Sequence, residues 1–344
     1  MTILKSLAEV NDFPNVYPVD EVRLSHSTLQ TYNSCPRRFE FSKLYNNPKY
    51  EESSATRCGT ALHEGFQEYL ISRNKDSAIW KMMQSYPWEH GISPMKDRSA
   101  EGCYATLLEM MERFDVNRYE LAYVQDADGN NIPCVELPFK IRFAECPELM
   151  ITKIGDPSIY KTIPLYYVGY IDLVVYDKEL GEFLVIDIKT TTDRFEDQSA
   201  KFEYSSQCVP YSLMLNKILG LPIGSLRVGY YISNISVTEP KARLFTFYKT
   251  EEDLADWAME MKGTLTNLAY NTHEGFFPRN GGSSCIAYGR KCKYFDLCKQ
   301  RNSRFIMRSL FFEGEQDEPK PFDPLITVDI SLEELIKNGR FAND

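Results

Sequence analysis

The chain has 344 residues, of which 43% are hydrophobic and 13% aromatic, and it carries a formal net charge of −10. This composition excludes a disordered chain, and the length predicts about two domains or one large α/β domain with insertions. The acidic balance argues against a protein that simply coats nucleic acid, but it allows an enzyme whose basic residues line one cleft. Because there is neither a membrane-length apolar run nor a signal-peptide layout, we expect a soluble cytoplasmic protein without membrane contacts.

Helical patterns dominate the N-terminal third of the chain. The first pattern ends at Cys35, and Pro36 can serve as the first residue of the next helix. Residues 59–70 predict another helix, with His63 at the border of its apolar stripe. A lone histidine in that position is more often structural than functional. Residues 76–118 predict further helices around a Pro/Gly break, which we interpret as a helical insertion.

A strand predicted over residues 183–190 combines an apolar, β-branched run with one acid and one base. Asp187 and Lys189 are two residues apart, so they leave the same face of the strand. Burying a carboxylate and an ammonium in such a strand is costly unless they pair or bind a metal. The strand is therefore a candidate functional element.

The preceding strand, residues 168–176, also contains one acid, Asp172, and a short polar connector predicts a hairpin. If Tyr176 faces Phe183, the antiparallel register places Asp172 opposite Asp187. Directly opposed Cβ atoms are about 4.5–5.5 Å apart, so two like charges there require a cation between them. The hairpin thus predicts a carboxylate pair for Mg²⁺ or Mn²⁺. The alternatives are a slipped register or a surface hairpin whose charges face water.

Further strands and helices on both sides of the hairpin predict an α/β fold. They are a hairpin over 119–143 with its turn at 128–130, a helix at 206–219, strands at 226–233 and 242–249, and a helix at 251–272. The stretch 144–164 is predicted to be irregular. Gln207 and Tyr211 are four residues apart and share one helix face, which is an unspecific signal on its own.

Three cysteines lie close together in a Gly-rich segment near the C-terminus: Cys285, Cys292 and Cys298. Nine cysteines, an odd number, do not describe a disulfide framework in a cytosolic chain. Three thiolates leave a four-coordinate site one ligand short, and Cys35 is the natural fourth. Zinc and an iron–sulfur cluster both accept four thiolates. The spacing favours a cluster, and unligated core cysteines are the alternative.

The combination of these motifs resembles the PD-(D/E)xK nuclease superfamily, and within it the RecB-like nucleases with an iron–sulfur staple. That group includes CRISPR-associated iron–sulfur exonucleases, the AddB nuclease domain and phage exonucleases. The likeness runs from about Leu24 to Cys298. The matching motifs are GxxxH at Gly59–His63, GxxD at Gly169–Asp172, (D/E)xK at Asp187–Lys189 and QxxxY at Gln207–Tyr211. The four cysteines follow the family's split arrangement, although the spacing from Cys285 to Cys292 is longer than its commonest form.

The resemblance implies a restriction-endonuclease-like core, in which helices flank a central mixed β-sheet, and an iron–sulfur staple that joins the N- and C-terminal segments. The domain organisation is then an N-terminal extension, a RecB-like nuclease domain with a helical insertion and a cysteine-rich segment, and an acidic C-terminal extension. Their respective bounds are 1–24, 25–304 (insertion 76–118, cysteine-rich segment 281–304) and 305–344.

The resemblance also implies a chemistry for the site. His63, Asp172, Asp187 and the backbone carbonyl of Ile188 would hold Mg²⁺ or Mn²⁺, and Lys189 would act on the attacking water and the phosphate. Gln207 and Tyr211 would orient Lys189 or hold the DNA backbone. The four cysteines would hold a [4Fe–4S] cluster, or alternatively Zn²⁺.

The expected function is a metal-dependent DNA nuclease, preferring single strands or ends, inside a bacterial cell or encoded by a phage. Its protein partners would belong to recombination or replication. A second hypothesis is a non-catalytic, cluster- or zinc-stapled DNA-binding subunit of a recombination complex. A third is a partner-binding protein whose acidic tail docks elsewhere or shields the cleft.

Overall fold

The fold was analysed in a computed structural model. It describes residues 19–45, 54–86, 98–126, 128–153, 156–191, 195–220, 226–287, 290–300, 303, 306 and 324–341. Most of the expected N-terminal extension (residues 1–18), the Pro/Gly break of the insertion (87–97) and much of the C-terminal extension (307–323) therefore lie outside the described residues.

Helices occupy the N-terminal third, the middle and the C-terminal third of the described chain. They are α1 (His26–Ser34), α2 (Pro36–Phe39, continued by a π-helical turn Glu40–Leu44), α3 (Ser54–Ser72), α4 (Lys75–Ser85), α5 (Ala100–Arg113), α6 (Gln198–Glu203), α7 (Cys208–Leu219), α8 (Glu251–His273), α9 (Phe295–Lys299) and α10 (Leu332–Phe341).

Strands alternate with these helices. They are β1 (Val22–Leu24), β2 (Tyr119–Leu121), β3 (Tyr123–Gln125), β4 (Asn131–Pro133), β5 (Val135–Phe143), β6 (Glu148–Lys153), β7 (Asp156–Asp177), β8 (Glu182–Thr191), β9 (Leu226–Asn234), β10 (Lys241–Lys249), β11 (Ile286–Ala287), β12 (Arg290–Lys291) and β13 (Ile326–Ile330).

A mixed sheet with the strand order β10-β9-β8-β7-β5-β13 forms the centre of the fold. Strand β8 runs antiparallel to β7 and parallel to β9, while β13 runs parallel to β5. The long strand β7 also pairs with β1, β2 and β6. This arrangement confirms the predicted α/β class with a central mixed sheet and flanking helices.

Strand β8 is buried on both faces, which explains its continuous apolar sequence. Leu184, Ile186 and Ile188 belong to a core formed with α3 and α5, whereas Val185 belongs to a second core formed with α7 and α8. Asp187 lies in the same strand and is fully buried. The sheet thus places a carboxylate in an interior position that is otherwise apolar.

The predicted register of the β7–β8 hairpin is confirmed. Tyr176 pairs with Phe183 and Val174 pairs with Val185, and the ladder extends to Leu173 opposite Ile186. The ladder ends there, one step before Asp172 and Asp187, so the predicted pairing of these two acids is not part of it.

The prediction that residues 144–164 are irregular was wrong. Strand β6 pairs antiparallel with the first half of β7. Leu149 and Ile151 are buried while Met150 is exposed, which is the alternation of a half-buried strand. Prolines at 147, 157 and 164 concealed this alternation, since proline normally argues against a strand interior.

The described part of the C-terminal extension is packed into the fold. Strand β13 lengthens the sheet beside β5, and α10 lies along α8. Two of its acids form ion pairs with the body of the protein: Asp329 with Arg142 at 2.8 Å and Glu333 with Lys262 at 2.9 Å. Burial of Ile330, Leu332 and Leu335 anchors this segment in the core.

Gly339 permits the close packing of α10 against α8, and Gly339→Ala tests this contact. A Cβ built at Gly339 would lie 2.5 Å from the Cβ of Ala255 and against the carbonyl oxygen of Glu251. We expect the substitution to lower the free energy of unfolding by about 2 kcal/mol, measured by denaturant titration. Gly263→Ala is the matched control, because a Cβ there meets nothing within 4 Å. It should stabilise α8 by up to about 1 kcal/mol. Equal effects of both substitutions would contradict the packing.

Candidate active site

Two carboxylates converge where β7 and β8 run side by side. Oδ2 of Asp172 accepts a hydrogen bond from the backbone N–H of Ile188 at 2.8 Å. Oδ1 of Asp187 accepts one from Nε2 of Gln207 at 2.8 Å, and its Oδ2 lies 2.8 Å from Nζ of Lys189. The side chain of Lys189 is 31% exposed, whereas that of Asp187 is buried. The lysine therefore connects a buried carboxylate to the open cleft.

Helix α3 delivers His63 to the same point. Its Nε2 lies 2.6 Å from the carbonyl oxygen of Ile188 and 4.0 Å from Oδ2 of Asp172. The structure therefore brings together the residues that the sequence predicted as a metal site: His63, Asp172, Asp187 and the Ile188 carbonyl. Helix α3 is held against the sheet by the apolar core that it shares with α4 and α5, so the helical insertion positions the histidine.

The two residues predicted on helix α7 lie at the site, but their contacts differ from each other. Gln207 contacts Asp187 rather than Lys189, so it orients the buried carboxylate. Tyr211 packs edge-to-face on Phe139, with ring centroids 5.5 Å apart, and lines the cleft. Burial raises the pKa of Tyr211 far above its ordinary value, so its hydroxyl is a neutral hydrogen-bonding group.

Glu136 is a site residue that the sequence reasoning missed. It has a φ of +50°, a left-handed conformation that is costly for a non-glycine residue. Its Oε1 accepts a hydrogen bond from Nε2 of Gln67 at 2.6 Å and lies 4.0 Å from Nδ1 of His63. In β5 a polar residue at this position continues the ordinary alternation of buried and exposed side chains. No sequence signal therefore separated it from a solvent-facing residue.

The charges of the cluster shift its proton affinities. Burial and the charge of Asp187 raise the pKa of Asp172 to about 7. Burial also opposes protonation of Lys189, but the carboxylates of Asp187 and Asp172 outweigh it and raise the pKa of the ammonium. Likewise, burial disfavours the charged form of His63, yet Glu136 and Asp172 raise its pKa. The cluster thus holds more protons than isolated side chains would.

The donor set fits a divalent cation. Oδ2 of Asp187 is a buried oxygen that accepts no hydrogen bond of good geometry, although it contacts the Lys189 ammonium. Two carboxylates, a backbone carbonyl and an imidazole are ligands that Mg²⁺ or Mn²⁺ accepts. Among the residues that the structure describes, no three His, Cys, Asp or Glu side chains form a preformed cage. For this donor set to bind a cation, its side chains would have to move.

Asp172→Asn tests the raised carboxyl pKa through stability. The folded state binds this proton up to about pH 7, whereas the unfolded state loses it near pH 3.8, so wild-type stability falls as the pH rises between these values. The amide cannot ionise. Without divalent metal, we expect the variant to exceed the wild type by up to about 4 kcal/mol at pH 8, and this advantage to shrink towards pH 4. Thermal unfolding with EDTA measures this difference, and Asp256→Asn on the exposed face of α8 is the control. A pH-independent difference would contradict the shifted pKa.

A cleft of about 740 Å³ opens beside this cluster. The charged and titratable groups on its wall belong to the sheet, to α1, to α6 and to the short segment that leads into α5. Apart from Tyr170 and Tyr211, they are His26, Arg98, Glu136, Asp172, Lys189 and Lys201.

The four predicted ligand cysteines lie at the junction of the N- and C-terminal segments. All four are half-buried and have free thiols. The backbone N–H of Cys292 donates to the carbonyl of Cys285 at 2.8 Å. Burial raises the pKa of Cys298; Arg279 and Arg37 oppose this rise, and the neighbouring thiols of Cys35 and Cys292 add to it. The fold thus brings Cys35 close enough to Cys298 for their thiols to interact. Among the described residues, however, the cysteines do not form a preformed metal-binding group.

The mixed sheet and the cluster of acids, histidine and lysine on it are those of a nuclease. A sequence profile of the PD-(D/E)XK nuclease superfamily matches residues 23–299. The chain therefore belongs to the PD-(D/E)XK nuclease superfamily. A comparison with curated proteins found no match. None of the helices that the structure describes combines the length and the apolar character that a bilayer crossing requires.

Proposed function

We propose that the protein is a Mg²⁺- or Mn²⁺-dependent deoxyribonuclease, and more narrowly an exonuclease that prefers single strands or ends, acting in DNA processing, recombination or repair. The observation that supports this proposal most is the meeting of Asp172, Asp187, His63 and Lys189 at one point of the sheet. The exonuclease activity and the preference for single strands or ends are proposed from the family resemblance alone.

His63, Asp172, Asp187 and the Ile188 carbonyl would hold the divalent ion, which when bound polarises the scissile phosphate and acidifies water. Lys189 extends from the buried Asp187 into the cleft, where its ammonium can orient the attacking water and stabilise negative charge on the phosphate. Gln207 fixes Asp187, so that Oδ2 remains directed towards Lys189.

We further propose that Cys35, Cys285, Cys292 and Cys298 hold a [4Fe–4S] cluster, with Zn²⁺ as the alternative. Its role would be structural, because hydrolysis of a phosphodiester requires no electron transfer. The hydrogen bonds between the two segments support this role. Nε of Arg37 donates to the carbonyl of Phe277 at 2.8 Å, and Oγ of Ser284 donates to that of Ser34 at 2.8 Å.

A non-catalytic DNA-binding subunit is the second candidate. The paired Asp187 and Lys189 argue against it, because a protein that only binds DNA has no need of a buried carboxylate beside an ammonium. The third hypothesis, docking by the acidic tail, has less support, since Asp329 and Glu333 already pair with the body of the protein.

The deciding experiment is degradation of end-labelled single- and double-stranded DNA with Mg²⁺ or Mn²⁺, with an EDTA control. Release of labelled mononucleotides or short products from one end would support an exonuclease and give its polarity. Internal cuts would support an endonuclease. Retained DNA binding without cleavage in any metal would favour the non-catalytic subunit.

A further inference from the structure

Tyr170 is a partly exposed aromatic residue on the wall of the cleft. Its exposed fraction is 47%, and it lies two residues before Asp172 on strand β7. Tyr170 and Asp172 both line this cleft. A large exposed aromatic inside a concave, charged site is more informative than one on an open surface.

The sheet fixes the backbone of Tyr170. In the ladder between β5 and β7, Tyr170 pairs with Pro138 and Gly169 pairs with Phe139. A Cβ at Gly169 would lie 2.8 Å from the Phe139 ring, so the ring fills the space beneath this step of the strand. Tyr170 is thus carried by a rigid element, at a constant offset from Asp172.

The cleft around Tyr170 differs in charge from the rest of the protein. The chain has a net charge of −10, yet Arg98, Lys189 and Lys201 line the cleft against the two acids Glu136 and Asp172. Cations and an aromatic side chain in one cleft are the combination that binds single-stranded nucleic acid: the cations contact the phosphates, and the ring stacks on a base. In a duplex, the faces of the bases are already covered by their neighbours, so an internal base is not available to the tyrosine.

We propose that Tyr170 is the specificity-determining residue on which an unpaired base next to the scissile phosphate stacks. This inference rests on the proposed nuclease function and adds the structural feature that selects single strands. Removing one base–aromatic stack costs about 1–3 kcal/mol, so kcat/KM on single-stranded DNA should fall by about 5- to 150-fold in Tyr170→Ala. Tyr170→Phe keeps the ring and should retain wild-type activity.

The kinetic test compares these two variants on single-stranded and blunt duplex DNA, with Tyr160→Ala as the matched control. Tyr160 lies on the same strand and is 58% exposed, but it does not line the cleft. We expect Tyr170→Ala to lose activity on single strands and to change little on duplexes. An equal loss on both substrates, or no loss on either, would overturn the proposal.

Two further readouts separate stacking from a general structural defect. A single abasic position moved along the substrate should reduce wild-type cleavage at one offset from the cut, and should leave Tyr170→Ala unaffected there. In EDTA, an oligonucleotide with 2-aminopurine at that offset should be quenched by the wild type but not by Tyr170→Ala. Quenching without cleavage in any metal would uphold the stacking site and refute the nuclease proposal. Equal fluorescence in both proteins would refute the stacking site.

Discussion

Replacing Asp187 with asparagine is expected to abolish DNA cleavage, with a loss of at least about 10³-fold, while the fold is retained. The carboxylate is buried, accepts a hydrogen bond from Gln207 and pairs with Lys189 at 2.8 Å. Asparagine has the same shape, and its carbonyl can still accept from Gln207. Its amide group would then face the ammonium of Lys189, so two hydrogen-bond donors would meet and the lysine would be displaced. The substitution also removes one negative charge from the divalent-ion site.

The measurement is single-turnover cleavage of end-labelled DNA in Mg²⁺, accompanied by thermal unfolding to confirm the fold. Asp329→Asn serves as the matched control, because Asp329 is an exposed acid that pairs with Arg142 far along the sheet, and loss of such a pair costs at most about 1 kcal/mol. Activity within tenfold of the wild type in Asp187→Asn would exclude Asp187 from the catalytic site. Lys189→Met should cause the same loss of DNA cleavage, since it removes the ammonium that pairs with Asp187 and extends into the cleft.

The site was largely predictable because its elements are local in sequence. The β7–β8 hairpin contains both carboxylates and the lysine, and a short connector fixes its register. Counting from Tyr176 opposite Phe183 therefore gave the correct register up to Leu173 opposite Ile186, one step before Asp172 and Asp187. His63 was predicted as a site residue from a motif match. Its position at the site depends on a long-range contact with the Ile188 carbonyl.

What the sequence did not predict depends on long-range contacts or on unusual backbone conformation. Glu136 reaches the site through a left-handed φ that its neighbours in β5 do not share. The partner of Gln207 is set by how α7 packs on the sheet, so the pattern could not decide between Asp187 and Lys189. The packing of α10 depends on Gly339 meeting α8, two elements that are remote in the chain.

The second large effect is expected at the cysteine junction. On the proposed [4Fe–4S] cluster, Cys298→Ser should remove iron, sulfide and visible absorbance from the anaerobically purified protein, and lower the free energy of unfolding by about 5 kcal/mol. This magnitude is the loop-closure entropy of a cross-link that spans most of the chain. The hydrogen bonds from Arg37 to Phe277 and from Asn280 to Ser34 remain in the variant, so the core should stay folded. If the centre binds zinc, the colour is absent in both proteins and zinc content is the measured loss.

If four thiolates hold one shared centre, replacing any one of the four cysteines must have the same effect. Cys35 lies between α1 and α2, remote in sequence from Cys298, so Cys35→Ser must produce the same loss of metal and the same loss of stability. A merely local role of Cys298 in the C-terminal segment would leave Cys35→Ser unaffected. Cys146→Ser, at another half-buried free cysteine, should retain both metal and stability. Because one centre is either assembled or lost, the double variant Cys35→Ser/Cys298→Ser should be no less stable than either single variant.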